Sequence, residues 1–448
     1  MSAVKRPIKS YHNQCISKNT MNETRQNRSI TDHLPILLFA IPLSYVMYGI
    51  AMKQLPQEFS DLNGHVYVYL AAFTGISPIE GWKMAPYFLW HAIVLFLNRI
   101  CHIPIDISAS ATCSLFLLGS YFVTVLMISR WCAHIKRKIS PALCGFISFA
   151  LTILQPVWIG FLDAGTSRGA GSFSINPLFN PTQMAARPFA LICFMLMIDY
   201  FSLISDPSGK NDSNVFFRGN KKLIGILLSV FLFISALAKP VFAEMFIPAV
   251  GLIMLEKWIA LIAKKDGSAS KFFTKSLVPT FCIAIPCLLC ILVQFSAYFL
   301  FGGSYGGGEG LIITGWLEVW SAFSENIPLS ILLSMSFPIL ILVTDARNFF
   351  RTDIGKLGMV SWIAGFLECA LLGEGGDKLL HGDFIWPMLF GMLMLWAAAL
   401  LHFLKMEQNA SSPVSKAVII AGWILILIHL HYGFLYISEN LGWTFFIF

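Results

Sequence analysis

Long apolar runs recur from residue 34 almost to the end of the chain. They fall at 34–52, 108–129, 140–161, 188–205, 223–238, 241–261, 277–301, 326–344, 357–373, 384–404 and 416–436. A hydrocarbon core of about 30 Å takes roughly 17 to 25 helical residues to cross, so these runs read as about eleven transmembrane helices. Mean hydropathy is +0.71, and only 12% of the 448 residues are charged. The expected fold is an all-α, polytopic transmembrane helical bundle. A polar tail covers 1–33, and a single transmembrane domain covers 34–448, with no room for a separate soluble domain. The tail carries Lys5, Arg6, Lys9, Lys18, Arg25 and Arg28 ahead of a run too long for a signal-peptide core, which predicts an uncleaved first span.

One further stretch, PYFLWHAIVLFLNR at 86–99, is short for a crossing. The positive-inside rule decides how to read it. If it lies along the interface, then RWCAHIKRK (130–138), GKNDSNVFFRGNKK (209–222), AKKDGSASKFFTK (263–275), DARNFFR (345–351) and KMEQ (405–408) all share the cytoplasmic side. The other side then collects 53–107, 162–187, the turn near 239, 302–325 and 374–383, which are rich in Gly, Asn, Pro and acids. Two interfacial helices are expected in the first external loop, 53–107. The net charge of +7 comes in small clusters between spans. That pattern fits loops facing membrane lipids and excludes nucleic acid as a partner. The ten cysteines lie mostly in or beside apolar runs, where Cys packs as a small hydrophobe.

The polar chemistry starts in FSDLNGHVYVYLAAFTG (59–75), just after the first span. Ser60 is a good N-cap, so Asp61 and His65, at i and i+4, are expected on one helical face at the membrane surface. A half-shielded carboxylate there is suited to act as a general base on a hydroxyl. The alternative, that Asp61 caps the helix and His65 is an interfacial aromatic, stays open.

Two cations and two acidic loops add to the set. Arg187 follows Asn180 at the start of a span, and Lys239 sits in a turn between two spans. A cation deep in hydrocarbon costs about 2.5 to 3.5 kcal/mol on insertion scales, so Lys239 either snorkels outward or has an anionic partner. Both cations suit a phosphate, and both are also ordinary marks of span ends. The loop EGGDKLLHGD offers Glu374, Asp377, Lys378, His381 and Asp383 for sugar hydroxyls or an acceptor. Asp163 and Arg168 lie in DAGTSRGAGSF, whose glycines suit a lid over a lipid substrate. Asp199, Glu244, Glu256 and Glu368 read as charges near span ends, without matched partners.

An acid just beyond the first span, an interfacial helix, then APYFLWH (85–91) opening a second one resembles the GT-C class of membrane glycosyltransferases. The likeness is clearest over 34–130 and continues weakly through NPTQMAARPFAL, KPVFAE and GGDKLLHGDFIW. It implies a sugar transferred from a polyprenyl-phosphate donor to a glycan or lipid-linked acceptor outside the cytoplasm, with Asp61 as the essential acid. His65, Arg187, Lys239, Asp163, Glu374, Asp377, His381 and Asp383 are the candidate substrate-binding residues. Many members pair two neighbouring acids, whereas Asp61 has only Glu58 nearby, so a divalent metal ion stays a candidate cofactor without an assigned site. The resemblance favours a bacterial cytoplasmic membrane. A lipid-linked glycan flippase or transporter, a glycan polymerase and a noncatalytic assembly subunit are the rival readings.

Overall fold

A computed structural model describes residues 34–442, apart from 59, 160, 161, 163–165, 167, 170, 171, 177, 206–213, 266, 301–309, 377, 378, 380 and 381. Among the described residues, ten helices are long and apolar enough to cross a membrane, and two shorter apolar helices accompany them. In chain order they are α1 (Leu34–Gln54), the short α2 (Leu89–Ile100), α3 (Ile105–His134), the short α4 (Pro141–Ile153), α5 (Pro181–Ser205) and α6 (Lys221–Ala238). There follow α7 (Val241–Ile262), α8 (Ser268–Tyr298), α9 (Ile327–Phe349), α10 (Asp353–Leu371), α11 (Asp383–Asn409) and α12 (Pro413–Leu441). The protein is a polytopic helical bundle. α11 is buried along nearly its whole length and forms the axis, whereas α8 turns Phe281, Leu289 and Leu292 outward.

Every basic cluster described lies at one end of this bundle. Arg137 pairs with Glu407 at 2.8 Å, Lys257 with Asp353 at 2.8 Å, and His402 with Asp345 at 2.9 Å. Lys356 meets Glu256, and Lys221 donates to the Lys275 carbonyl. At the opposite, loop end, Lys53 donates to the Leu441 carbonyl. There a two-stranded antiparallel ribbon joins β3 (Leu311–Ile313) to β4 (Leu372–Glu374). A parallel pair, β1 (Arg168–Gly169) with β2 (Ser172–Phe173), lies in the segment before α5, and Phe173 packs on Trp320 with ring centroids 4.3 Å apart. The described residues of the loops at 53–104, 172–180, 310–326 and 372–382 therefore share one end, as the alternation of charge predicts.

The expected span at 140–161 differs from what the structure contains. Ser140 N-caps α4 by accepting from the Leu143 N–H, but the helix stops at Ile153 and residues 154–159 have no regular secondary structure. Pro156 supplies the reason: it has no N–H to give a helix and pushes Gln155 out of the helical region. The open backbone groups find partners inside the protein, as a membrane requires. Gln155 N–H donates to the His429 carbonyl at 3.2 Å, and Val157 N–H to the Leu333 carbonyl at 3.2 Å. The Gln155 carbonyl accepts from His429 Nδ1 at 2.8 Å, which leaves His429 Nε2 to accept from Ser336 Oγ at 2.7 Å. Gly433 makes this approach possible, because a Cβ there would stand 2.3 Å from the Ile153 carbonyl oxygen.

His429, which as a sequence position looks like a packed aromatic, is thus the clasp of the broken helix. His429→Leu leaves the Gln155 carbonyl buried without its donor, at an expected cost of about 1 to 3 kcal/mol. The check is a lower melting temperature in detergent, with His431→Leu on the same helix as the unaffected control.

Candidate functional site

The site is assembled at the loop end from stretches of chain far apart in sequence. Ser60 caps the turn Asp61–Asn63 by accepting from the Asn63 N–H at 3.1 Å, while its own hydroxyl donates to the Gln54 carbonyl at 2.6 Å. Asn63 Nδ2 donates to the Leu55 carbonyl at 2.7 Å. These bonds tie the position of Asp61 to the end of α1. The chain then continues as a π-helix, Gly64–Tyr69, with Leu70 N–H reaching back five residues to the His65 carbonyl. Asp61 stays at the surface and His65 turns inward, 5% exposed.

Asp61 Oδ2 accepts from Asn180 Nδ2 at 2.9 Å. Asn180 Oδ1 is engaged by the Gln183 N–H at 2.9 Å and by Thr182 Oγ1 at 3.0 Å, at the start of α5. With its oxygen committed to the helix, the amide has only its NH2 to present, and it presents it to the carboxylate. The NPT of 180–182 is therefore part of the acid's support.

Lys239 ends α6. Pro240 holds it in an extended conformation, with φ −167° and ψ 130°. Its side chain does not snorkel outward: it is 6% exposed, with Nζ 4.7 Å from the Trp386 ring centroid and 5.8 Å from that of Tyr87. Both contacts are cation–π in character. Burial lowers the Lys239 pKa, and the carboxylates of Asp383, Asp61 and Glu244 raise it in part. Tyr69 feels the same field: burial, then Asp383, Asp61 and Glu374, push its hydroxyl up to about 12. Asp61 and Asp383 thus lie within electrostatic reach of both Lys239 and Tyr69, and Glu374 within reach of Tyr69.

A cavity of about 440 Å³ opens beside Lys239. Tyr87, Glu244, Gln294, Tyr298, Glu368, Glu374, Asp383 and Trp386 line it together with the lysine. Glu374 comes from β4, and Asp383 from the first turn of α11. An apolar crevice between α6, α7 and α8, lined by Leu232, Phe246, Val250, Met254, Phe281 and Ala284, lies further along the same α7 and α8. The polar cavity and the greasy crevice are in line.

Other candidates stand elsewhere. Arg187 is 3% exposed and donates from Nη2 to the Leu151 carbonyl at 2.9 Å, in the last turn of α4. It lines a separate small cavity with Gln183, Met184 and Phe390. Its charge complements the carboxyl end of the broken helix. Asp163, Asp377, Lys378 and His381 lie outside the described residues, as does the expected lid around Asp163 in large part. Among the described residues, no three His, Cys, Asp or Glu side chains come close enough to hold a metal ion.

Glu244 and Glu368 correct the expectation that the acids of the spans have no matched partners. They belong to helices far apart in sequence, yet both line the cavity. The signal was a lone acid near the end of each apolar span, a place where ionisable groups are costly and functional by default. Tyr69, Tyr87, Tyr298 and Trp386 carried no signal beyond composition.

His65 Nδ1 lies 3.0 Å from His91 Nε2, across 26 residues of chain. One nitrogen carries the hydrogen and the other accepts it, so the pair is built for two neutral rings. Burial lowers both pKa values, that of His91 to about 3, and for His65 the charges of His91 and Lys239 act in the same direction. An opened segment takes up protons below about pH 6.5 while the closed one does not. Stability is therefore complete above about pH 6.5 and is lost as pH falls toward the folded values, at up to about 1.4 kcal/mol per pH unit for one ring. The expected result is that amide protection of 62–70, corrected for intrinsic exchange, drops at least tenfold between pH 7.5 and 4.5 while α11 stays protected. Equal protection at both pH values would refute the neutral-pair account.

No protein-family model, curated protein or solved structure matches the chain.

Proposed function

We propose that the protein is an integral membrane glycosyltransferase that moves a sugar from a polyprenyl-phosphate carrier to an acceptor at the loop end of the bundle. The observation that carries this reading is the meeting of Lys239, Glu374 and Asp383 on one cavity in line with an apolar crevice, with the surface carboxylate of Asp61 within electrostatic reach of Lys239. A lipid-linked sugar phosphate has those same parts: an isoprenoid tail, an anionic phosphate and a ring of hydroxyls.

The roles follow from chemistry. The acceptor hydroxyl oxygen attacks the anomeric carbon, the bond from that carbon to the phosphate oxygen breaks, and its electron pair leaves with the lipid phosphate. Asp61, held by Asn180, takes the hydroxyl proton. Lys239 is the cation for the departing phosphate, Trp386 and Tyr87 are flat faces for a sugar ring, and Glu374 and Asp383 accept from sugar hydroxyls. Arg187, spent on the Leu151 carbonyl, serves the scaffold in this scheme.

In this reading the basic end faces the cytoplasm, in keeping with the positive-inside rule, and the site faces the extracytoplasmic side of a bacterial cytoplasmic membrane. The test is to incubate the purified protein with a panel of lipid-phosphate sugars and a glycan acceptor and to measure free carrier. Release with one donor supports transfer, and no release with any of them counts against it.

The break in α4 and the two acids from separate spans on one cavity favour a second reading, a carrier that flips a lipid-linked glycan. A flippase moves the intact donor across liposomes and releases no carrier phosphate in detergent, so the same preparation separates the two.

A further inference from the structure

At the basic end, far from the proposed active site, a groove of about 540 Å³ opens between α6 and α8. Lys221, Lys222 and Lys275 stand at its mouth with Tyr200, and Ile226, Cys282 and Ile283 form its apolar wall. Lys221 is held in place: it donates to the Lys275 carbonyl and to Ser276 Oγ at 3.3 Å, and lies 5.6 Å over the Tyr200 ring. Gly225 keeps the two helices close, since a Cβ there would meet Ile283 Cδ1 at 3.0 Å. Neither Lys222 nor Lys275 has a carboxylate within salt-bridge distance among the described residues, and no acid lines the groove.

We propose that this groove is a binding site for one anionic phospholipid in the leaflet at the basic end, its phosphodiester between Lys222 and Lys275 and an acyl chain along Ile226 and Ile283. Three ammonium groups with no carboxylate partner among the described residues call for an anion. The lipid is favoured over a free phosphate by depth. Lys221 and Lys222 open α6, while Ile226 and Ser229 lie one to two turns further in, about 6 to 11 Å along the axis at 1.5 Å per residue. Ile226 is 51% exposed and Cys282 faces outward too, so the groove opens sideways to the bilayer. A charged rim above an apolar wall matches a headgroup above its chain.

The experiment uses the full chain purified in a neutral detergent, read by native mass spectrometry and by melting temperature. The additions are phosphatidylglycerol, phosphatidylcholine and inorganic phosphate. One retained phosphatidylglycerol per chain with a raised melting temperature is expected, with neither effect from the other two. Lys222→Gln with Lys275→Gln spares the structural bonds of Lys221 and should weaken retention roughly thirtyfold, at about 1 kcal/mol per lysine. Lys264→Gln with Lys265→Gln, two exposed residues outside the groove, should leave it unchanged. Equal effects from phosphatidylcholine, equal effects from inorganic phosphate, or an equal loss in the control pair would each overturn the proposal.

Discussion

Asp61→Asn is expected to lower the turnover of sugar transfer by about 10²- to 10⁴-fold, the usual contribution of a positioned general base, while leaving the KM for the donor within a factor of about two. The substitution keeps the shape of the side chain and removes the acceptor for the hydroxyl proton. Asn180, already turned by the start of α5, would face an amide where it now faces a carboxylate. Lys239→Met should divide the effects the other way. Its side chain keeps the packing against Trp386 and Tyr87 but loses the charge, so the donor KM rises more than turnover falls. Steady-state kinetics with a radiolabelled donor give both values. Unchanged turnover in Asp61→Asn would remove the base from the scheme.

Gly365→Val is expected to destabilise the bundle by about 3 kcal/mol or more, at the upper end of the overpacking range and a large fraction of a typical stability of about 5 to 15 kcal/mol. A Cβ at 365 would stand 2.7 Å from the Pro387 carbonyl oxygen and 2.8 Å from Met388 Cα. These are backbone atoms, and they cannot rotate away. Gly358 and Gly391 mark the same seam, where added Cβ atoms would meet Ala398 and the Ser361 carbonyl at 2.6 Å and 2.7 Å. Small residues let the backbones of α10 and α11 touch, as membrane helices do when lipid gives them no hydrophobic drive to associate. Separation of this pair also moves Glu368 away from Asp383 and Trp386. The measurement is thermal unfolding in detergent, with Gly251→Ala as the control, because its added Cβ meets nothing within 4 Å.

Charge alternation between the apolar runs was enough to read which loops share an end, because it depends only on the order of residues along the chain. Local chemistry was legible as well: Ser60 forms its cap, and Lys239 sits in its turn. Contacts between distant stretches were not. The meeting of Glu244 with Glu368 depends on how α7 packs beside α10, and that of His65 with His91 on a π-helix that no spacing rule announces. Arg187 shows the opposite limit. Its charge was visible, but its partner, the Leu151 carbonyl, exists only because α4 stops short. Pro156 was the mark of that stop, overshadowed by an apolar run long enough to span.

The interruption after Ile153 also has a temporal side. Gln155 is bonded to His429, 274 residues downstream, and the partner of Val157 is on α9. A ribosome delivers residues 154–157 long before either of those helices exists, so nascent intermediates hold unmatched peptide groups that lipid cannot solvate. Biogenesis is therefore completed from the carboxyl terminus, and a chain truncated ahead of α12 should be recognised by quality-control proteases even though its earlier helices are inserted.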